Sequence, residues 1–179
     1  MCEYEIVKRK ILFDHPFAKI FVDTLTHDGR QLRYFYLASP INAVATVGLT
    51  QENNIILTRQ YRHPVEEIIY DLPAGRLNPG EDPIEGARRE FEEETGYYPR
   101  HIEKIGYFNQ FPGMMRAATN LFFARDLTAT QQNLDEGEEL ETIQLPVKII
   151  LEMILAGDTI DGSLQLGILL ALQKGLISA

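Results

Sequence analysis

The chain has 179 residues, 45% hydrophobic and 24% charged, enough for one domain with a sizeable core or one domain plus a small appendage. Its net charge of −9, from 26 acids against 17 bases, disfavours non-specific attraction to nucleic acid or to anionic membrane. The single cysteine, Cys2, excludes an internal disulfide and fits a reducing compartment.

Taken in order, the chain opens with MCEYEIVKRK, whose charges flank its few apolar residues, unlike a signal peptide. From Ile6 to about Leu72 the pattern predicts strand after strand. Phe17–Thr26 and Gln31–Ala38 alternate apolar and polar residues around Asp28-Gly29, a strong hairpin signal. Ala43–Thr50 and Asn54–Tyr61 flank Glu52-Asn53 as a second hairpin, and Ile68–Leu72 is a short apolar strand ending at Pro73. A helix is predicted over Pro83 to about Thr95, then strands at Ile102–Phe111, Asn120–Leu127 and Leu140–Leu145. Two helical stretches close the chain, Val147–Ala156 and about Ser163–Lys174. The longest apolar run, Gly167–Leu172, is far short of the roughly 20 residues that span a bilayer. A soluble, cytoplasmic protein is expected. Strands dominate and helices come late, which predicts an α/β or α+β layered fold with a mixed sheet and a separate small N-terminal sheet.

The helix Pro83–Thr95 opens by the rules. Asp82 is a good N-cap, Pro83 suits the first helical position, and Glu85 completes a capping box. Ile84, Ala87, Phe91 and Thr95 fall within about 80° of one another and form the buried stripe, and Gly96 supplies the stop. Its end breaks the rules. Glu93 and Glu94 lie at the negative end of the helix dipole, where each is unfavourable by about 0.3–1 kcal/mol. Glu90 and Glu94 are a like-charge pair four apart, costing a further ~0.2–0.5 kcal/mol, and they lie beside the apolar stripe. Arg88 and Arg89 offset part of this, with Arg89 directed towards Glu93 and Glu85. A solvated acidic face is the plain reading. A hard divalent cation, which takes carboxylate oxygens and keeps waters, is the other.

Around this helix, Gly75, Glu81, Arg89, Glu90, Phe91, Glu93, Glu94, Gly96 and Tyr97 match every fixed position of G-x5-E-x7-R-E-U-x-E-E-x-G-U, with U apolar. Nine constrained positions over 23 residues form a very specific signal, and the chain resembles the Nudix hydrolases. The resemblance implies an α/β/α sandwich and cleavage of a nucleoside diphosphate linked to another moiety, with Mg²⁺ (or Mn²⁺) as cofactor. It makes the Ala74 carbonyl, Glu90 and Glu94 metal ligands, and Glu93 a further ligand or a base partner. Arg89 then holds a glutamate in place, and Glu81 ties the loop together or holds Arg89.

Outlying residues resemble the ADP-ribose and nucleotide-sugar pyrophosphatases of that family. Pro112-Gly113 lies 15 residues beyond Tyr97, and Leu72-Pro73-Ala74-Gly75 and Gln60-Tyr61-Arg62 also look like that branch. The acidic stretch Asp135–Glu139 reads by itself as a solvated loop. In the branch it brings a carboxylate over the metals, with Glu138 as ligand or general base and Glu136 as the candidate base. One departure is that Met114-Met115-Arg116-Ala117-Ala118 stands where branch members commonly carry an acidic residue, which leaves the precise substrate open. Arg116 is either a phosphate or sugar contact or a solvated loop arginine. Arg62 and the aromatics Tyr34, Phe35 and Tyr36 are candidates for the nucleotide end.

The expected activity is hydrolysis of a nucleoside diphosphate sugar, ADP-ribose first, to a nucleoside monophosphate and a sugar phosphate. The alternatives are another Nudix substrate, such as GDP-mannose or a dinucleoside polyphosphate, and a non-catalytic ADP-ribose sensor. A homodimer is implied, with residues 1–40 as the dimerising β subdomain and residues 41–179 as the hydrolase domain. An acyl-enzyme mechanism finds no support, because none of the three serines lies in a G-x-S-x-G context.

Overall fold

Asp28 and Gly29 turn the first hairpin with φ of 48° and 72°, the left-handed pair that a two-residue connection needs. The computed structural model describes residues 4–16, 18–38, 42–159 and 161–178, so Cys2 and Phe17 lie outside the described residues. In chain order the elements are β1 (Glu5–His15), β2 (Ala18–His27), β3 (Arg30–Ala38), β4 (Ala43–Leu49), β5 (Asn54–Arg62), β6 (Glu67–Asp71) and β7 (Ala74–Arg76). Then come α1 (Pro83–Thr95), β8 (Tyr97–Asn109), β9 (Met115–Arg116), β10 (Ala118–Ala129), β11 (Leu140–Pro146), α2 (Val147–Ala156) and α3 (Gly162–Gln173). The sequence pattern missed β7 and β9 and began β8 at Ile102, whereas the strand starts directly after the helix stop.

The chain divides into two units, residues 1–42 with 109–118 and residues 43–108 with 119–179. The first unit is a four-stranded sheet in the order β1-β2-β3-β9, with β3 and β9 parallel. Within it Asp23, only 4% exposed, receives two bonds of 2.8 Å from Arg9. That pairing holds its carboxyl below the usual range.

The second unit is built on a sheet in the order β11-β5-β4-β10-β8, with β6 on β5 and β7 on β4. It is mixed, since β10 runs parallel to β4 while β5, β7 and β11 pair antiparallel. Helices cover both faces. Ala45, Val47, Ile55, Leu57, Leu121 and Phe123 form one core with Val147 and Ile150 of α2 and Leu164 and Ile168 of α3. Their neighbours in the alternation face α1, where a Cβ on Gly48 would overlap the Phe91 ring. Strand β4 is buried from Val44 to Gly48 because both of its faces are covered. The result is the α/β/α sandwich that the sequence implied.

Candidate active site

The site is a corner of the second unit where α1 meets β7 and β4. Helix α1 starts as its sequence requires, with the Asp82 side chain accepting from the Ile84 N–H at 2.8 Å. Glu85, expected in a capping box, lies 3.7 Å from Arg88. The helix ends at Gly96 with φ 71°, whose N–H reaches the Glu92 carbonyl at 2.8 Å.

The basic residue of the corner is Arg89. It donates to Glu81 through Nε at 2.9 Å and Nη2 at 3.0 Å, to Glu93 through Nη1 at 2.9 Å, and to the Arg76 carbonyl at 3.1 Å. Its Nη1 also lies 2.9 Å from Glu90. The sequence reading directed Arg89 to Glu93 and Glu85, and the resemblance offered Glu81 as holding it; the structure pairs Arg89 with Glu93, Glu81 and Glu90, and gives Glu85 to Arg88. The fork geometry of a guanidinium is what allows so many acceptors at once. Glu81 is pushed down to about 2 by that bond first, and its Oε2 also accepts from the Asn78 N–H at 2.7 Å. It therefore both ties the loop and holds the arginine.

Glu94 is only 5% exposed. Its Oε2 accepts from the Ala74 N–H at 2.8 Å, which joins the helix to β7. Burial pushes its pKa up to about 8, a rise that the Ala74 bond opposes and that the charges of Glu90 and Glu138 reinforce. Glu90 is also raised, by burial first, with Arg89 opposing and Glu93 and Glu138 adding to it. A Cβ on Gly75 would overlap the Glu90 carboxylate, so only glycine leaves room for it. Glu136 and Glu138 lie on an exposed loop, where the Glu138 Oε2 accepts from the Asp135 N–H at 3.1 Å.

These donors suit a hard divalent cation. The charges of the half-buried Glu90, the buried Glu94 and the exposed Glu138 repel one another, and all the candidate ligands, with the Ala74 carbonyl, are oxygens. Among the described residues no three such side chains converge on one point as they stand. Glu90 faces Arg89 through Oε1 and Glu138 faces the Asp135 N–H through Oε2, each contact using one oxygen of its carboxylate.

The remaining candidates are distributed as follows. Arg62 donates to one oxygen of Asp71 from Nε at 2.9 Å and Nη2 at 2.6 Å. Asp71 is 4% exposed, and Gln60 donates to the same oxygen at 3.3 Å. Sequence reasoning overlooked Asp71, although a carboxylate inside the apolar run Ile68–Leu72 was a visible signal. Tyr36, Pro112, Gly113 and Arg116 belong to the first unit. There Tyr36 stacks on Phe21 at 5.1 Å, and the Gly113 carbonyl accepts from the Tyr34 hydroxyl at 2.6 Å. Arg116 is exposed on β9.

A mixed sheet lies between helices, and a strand with a central glycine leads into an arginine-bound glutamate helix, the arrangement of a NUDIX domain. The family profile of that description matches residues 40–158, and the chain belongs to the NUDIX hydrolase family. It is 34% identical over 162 residues to the ADP-ribose pyrophosphatase of Bacillus subtilis (strain 168), covering 89% of this chain and 87% of that protein. It is also 34% identical over 154 residues to the methanol dehydrogenase activator of Bacillus methanolicus, covering 85% and 83%. Identity to the GDP-mannose pyrophosphatase of Salmonella typhimurium is 27% over 170 residues, 88% of each chain. A crystal structure described as an ADP compounds hydrolase superposes with a TM-score of 0.87 at 21% identity, over 97% of this chain and 96% of that one, which shows the shared fold.

Proposed function

We propose that the protein hydrolyses the diphosphate of a nucleoside diphosphate sugar, with ADP-ribose as the leading substrate. The observation that carries this reading is the desolvated glutamate group at the end of α1, beside a glycine that leaves room for Glu90. Similarity over most of the chain to an ADP-ribose pyrophosphatase supports the choice of substrate, with a GDP-mannose pyrophosphatase as the next candidate.

In this reading Glu90, Glu94, Glu138 and the Ala74 carbonyl would hold Mg²⁺ or Mn²⁺. Such cations would supply charge against the diphosphate and a lower pKa for the attacking water, which would let an acidic protein handle an anionic substrate. The protein's own groups do the rest. Glu138 or Glu136 takes a proton from the water as its oxygen bonds to one phosphorus. The bridging P–O bond breaks, and the second phosphate leaves with the bridging oxygen, giving nucleoside monophosphate and sugar phosphate. Arg89 fixes Glu93 and Glu81, so the helix presents its ligands in one orientation. Tyr36, Arg62, Pro112, Gly113 and Arg116 are assigned to substrate binding, with Arg62 exchanging or sharing its bond to Asp71. The N-terminal sheet is assigned to a homodimer contact, because β1 is exposed throughout yet carries Ile6, Val7, Ile11, Leu12 and Phe13.

The test is incubation with ADP-ribose or GDP-mannose and Mg²⁺, following monophosphate release. Turnover that EDTA abolishes and Mg²⁺ restores is the expected result. Tight ADP-ribose binding without any product points instead to a sensor. Light scattering across dilution checks the dimer.

A further inference from the structure

The segment after β10 runs back along the end of α1 and binds it by its carbonyls. The Thr130 N–H donates to the Gly96 carbonyl at 2.7 Å and the Asn133 N–H to the Glu93 carbonyl at 2.9 Å. The Gln132 Nε2 donates to the Glu94 carbonyl at 2.6 Å. The chain passes so close that a Cβ on Gly96 would stand 3.0 Å from the Gln132 nitrogen. Residues 134–139 then leave the helix as the exposed acidic loop, and β11 returns. Its Thr142 hydroxyl donates to that same Glu94 carbonyl at 3.0 Å, and Gln132 Nε2 lies 3.3 Å from the hydroxyl. The place of Thr142 is set by sheet pairing, opposite Thr58 of β5.

One backbone oxygen therefore pins both ends of the loop that carries Glu136 and Glu138. Between the pins, the loop is held by bonds within itself, from the Glu138 N–H to the Asp135 carbonyl and from the Asp135 N–H to the Glu138 side chain, with Gly137 at φ 90°. Fixing both ends confines the carboxylates to a small volume, since a short tethered segment has few conformations.

We propose that Gln132 and Thr142 are positioning residues, which clamp the acidic loop to the Glu94 carbonyl and so set where Glu138 meets the carboxylates of α1. That Glu138 is felt electrostatically by both Glu90 and Glu94 agrees with this. The proposal rests on the hydrolase reading. It adds that loop and helix form one unit, with the reaction depending on two neutral side chains that touch neither substrate nor metal. Misplacing a catalytic group by about 1 Å costs on the order of 100-fold in rate.

The test is a cycle of Gln132→Ala, Thr142→Val and Glu138→Gln, with Thr142→Ser keeping the hydroxyl. Gln132→Ala and Thr142→Val are expected to lower kcat by about 10- to 100-fold with little change in KM, and Thr142→Ser to recover most of it. In the Glu138→Gln background neither should cost anything further. Equal losses in both backgrounds would mean that the two residues do not act through Glu138, and would overturn the clamp, as would full turnover by Glu138→Gln. Amide exchange at Asp135 and Glu138 gives a readout that needs no turnover, and Gln132→Ala should speed it. Unchanged exchange sinks the clamp even if the enzyme is active. Absence of wild-type turnover with faster exchange in the variant sinks the substrate reading and keeps the clamp.

Discussion

Glu94→Gln is expected to do two opposed things, abolishing hydrolysis while stabilising the protein freed of divalent ions at alkaline pH. The carboxyl has an ordinary value of 4.5 and is pushed to about 8 by burial. The folded state therefore binds this proton more tightly than the unfolded chain, and stability present below pH 4.5 is lost as pH rises through 8. At 1.36 kcal/mol per unit the full loss is about 4–5 kcal/mol, and about 3 kcal/mol at pH 7. Glutamine is neutral at every pH and still offers the Ala74 N–H an acceptor, so the variant escapes the loss. Asp161, pushed up to about 6 by burial first and then by the charge of Asp71, contributes a slope of the same sign to both proteins, and the difference between them cancels it.

Urea unfolding in EDTA at pH 4, 6 and 8.5 measures the effect. The two proteins should coincide at pH 4 and separate by about 4 kcal/mol at pH 8.5, the variant being the more stable. Added Mg²⁺ should then raise the wild type far more than the variant, since an ion held by the folded state alone stabilises it by mass action. Parallel curves across the pH range would refute the claim that Glu94 carries the desolvation cost. Equal stabilisation by Mg²⁺ would remove it from the ligand set.

Other changes at the same corner have distinct signatures. Gly75→Ala should drive the flexible Glu90 side chain out of its place and cut turnover by about 100-fold, with the melting temperature nearly kept. Gly48→Ala meets the buried Phe91 ring, which cannot swing aside, so urea unfolding should show about 1–3 kcal/mol of destabilisation. Arg89→Lys keeps the charge but loses the fork that reaches Glu81, Glu93 and the Arg76 carbonyl together. Turnover is expected to fall by about 10-fold or more, as initial rates would show.

What could be read from the sequence was local. Asp82, Pro83 and Gly96 mark α1 to the residue, because caps act on the backbone next to them. The hairpins around Asp28-Gly29 and Glu52-Asn53 follow from turns that the chain makes on itself. Strand β7 was missed because Ala74-Gly75-Arg76 has no strand character of its own and borrows its order from Val44 and its neighbours across the sheet. Strand β9 owes its existence to a parallel partner far away in the chain, at Leu37 and Ala38. The carboxylates were legible because their spacing on one helix was anomalous. Gln132 and Thr142 were not, since neither is unusual in its own neighbourhood and their bonds to Glu94 span 38 and 48 positions.

Those two bonds also change the account of why the acidic helix end is tolerated. From sequence, the cost lay partly in the helix dipole, whose negative end consists of carbonyls without partners. Here the four carbonyls from Phe91 to Glu94 are engaged: Phe91 by the Thr95 hydroxyl, Glu92 by the Gly96 N–H, Glu93 by the Asn133 N–H, and Glu94 by Gln132 and Thr142. Each donor offsets part of the negative charge there, while the side chains of Glu93 and Glu94 turn to Arg89 and the Ala74 N–H. What remains uncompensated is the burial of Glu94 and its proximity to Glu90 and Glu138, a cost set by carboxylates rather than by the backbone. A cation can relieve a cost of that kind directly, whereas it could do little for carbonyls that already have donors. The donors that make the helix end affordable are also the ones that fasten the acidic loop beside it, so the packing of the corner and its chemistry rest on the same few hydrogen bonds.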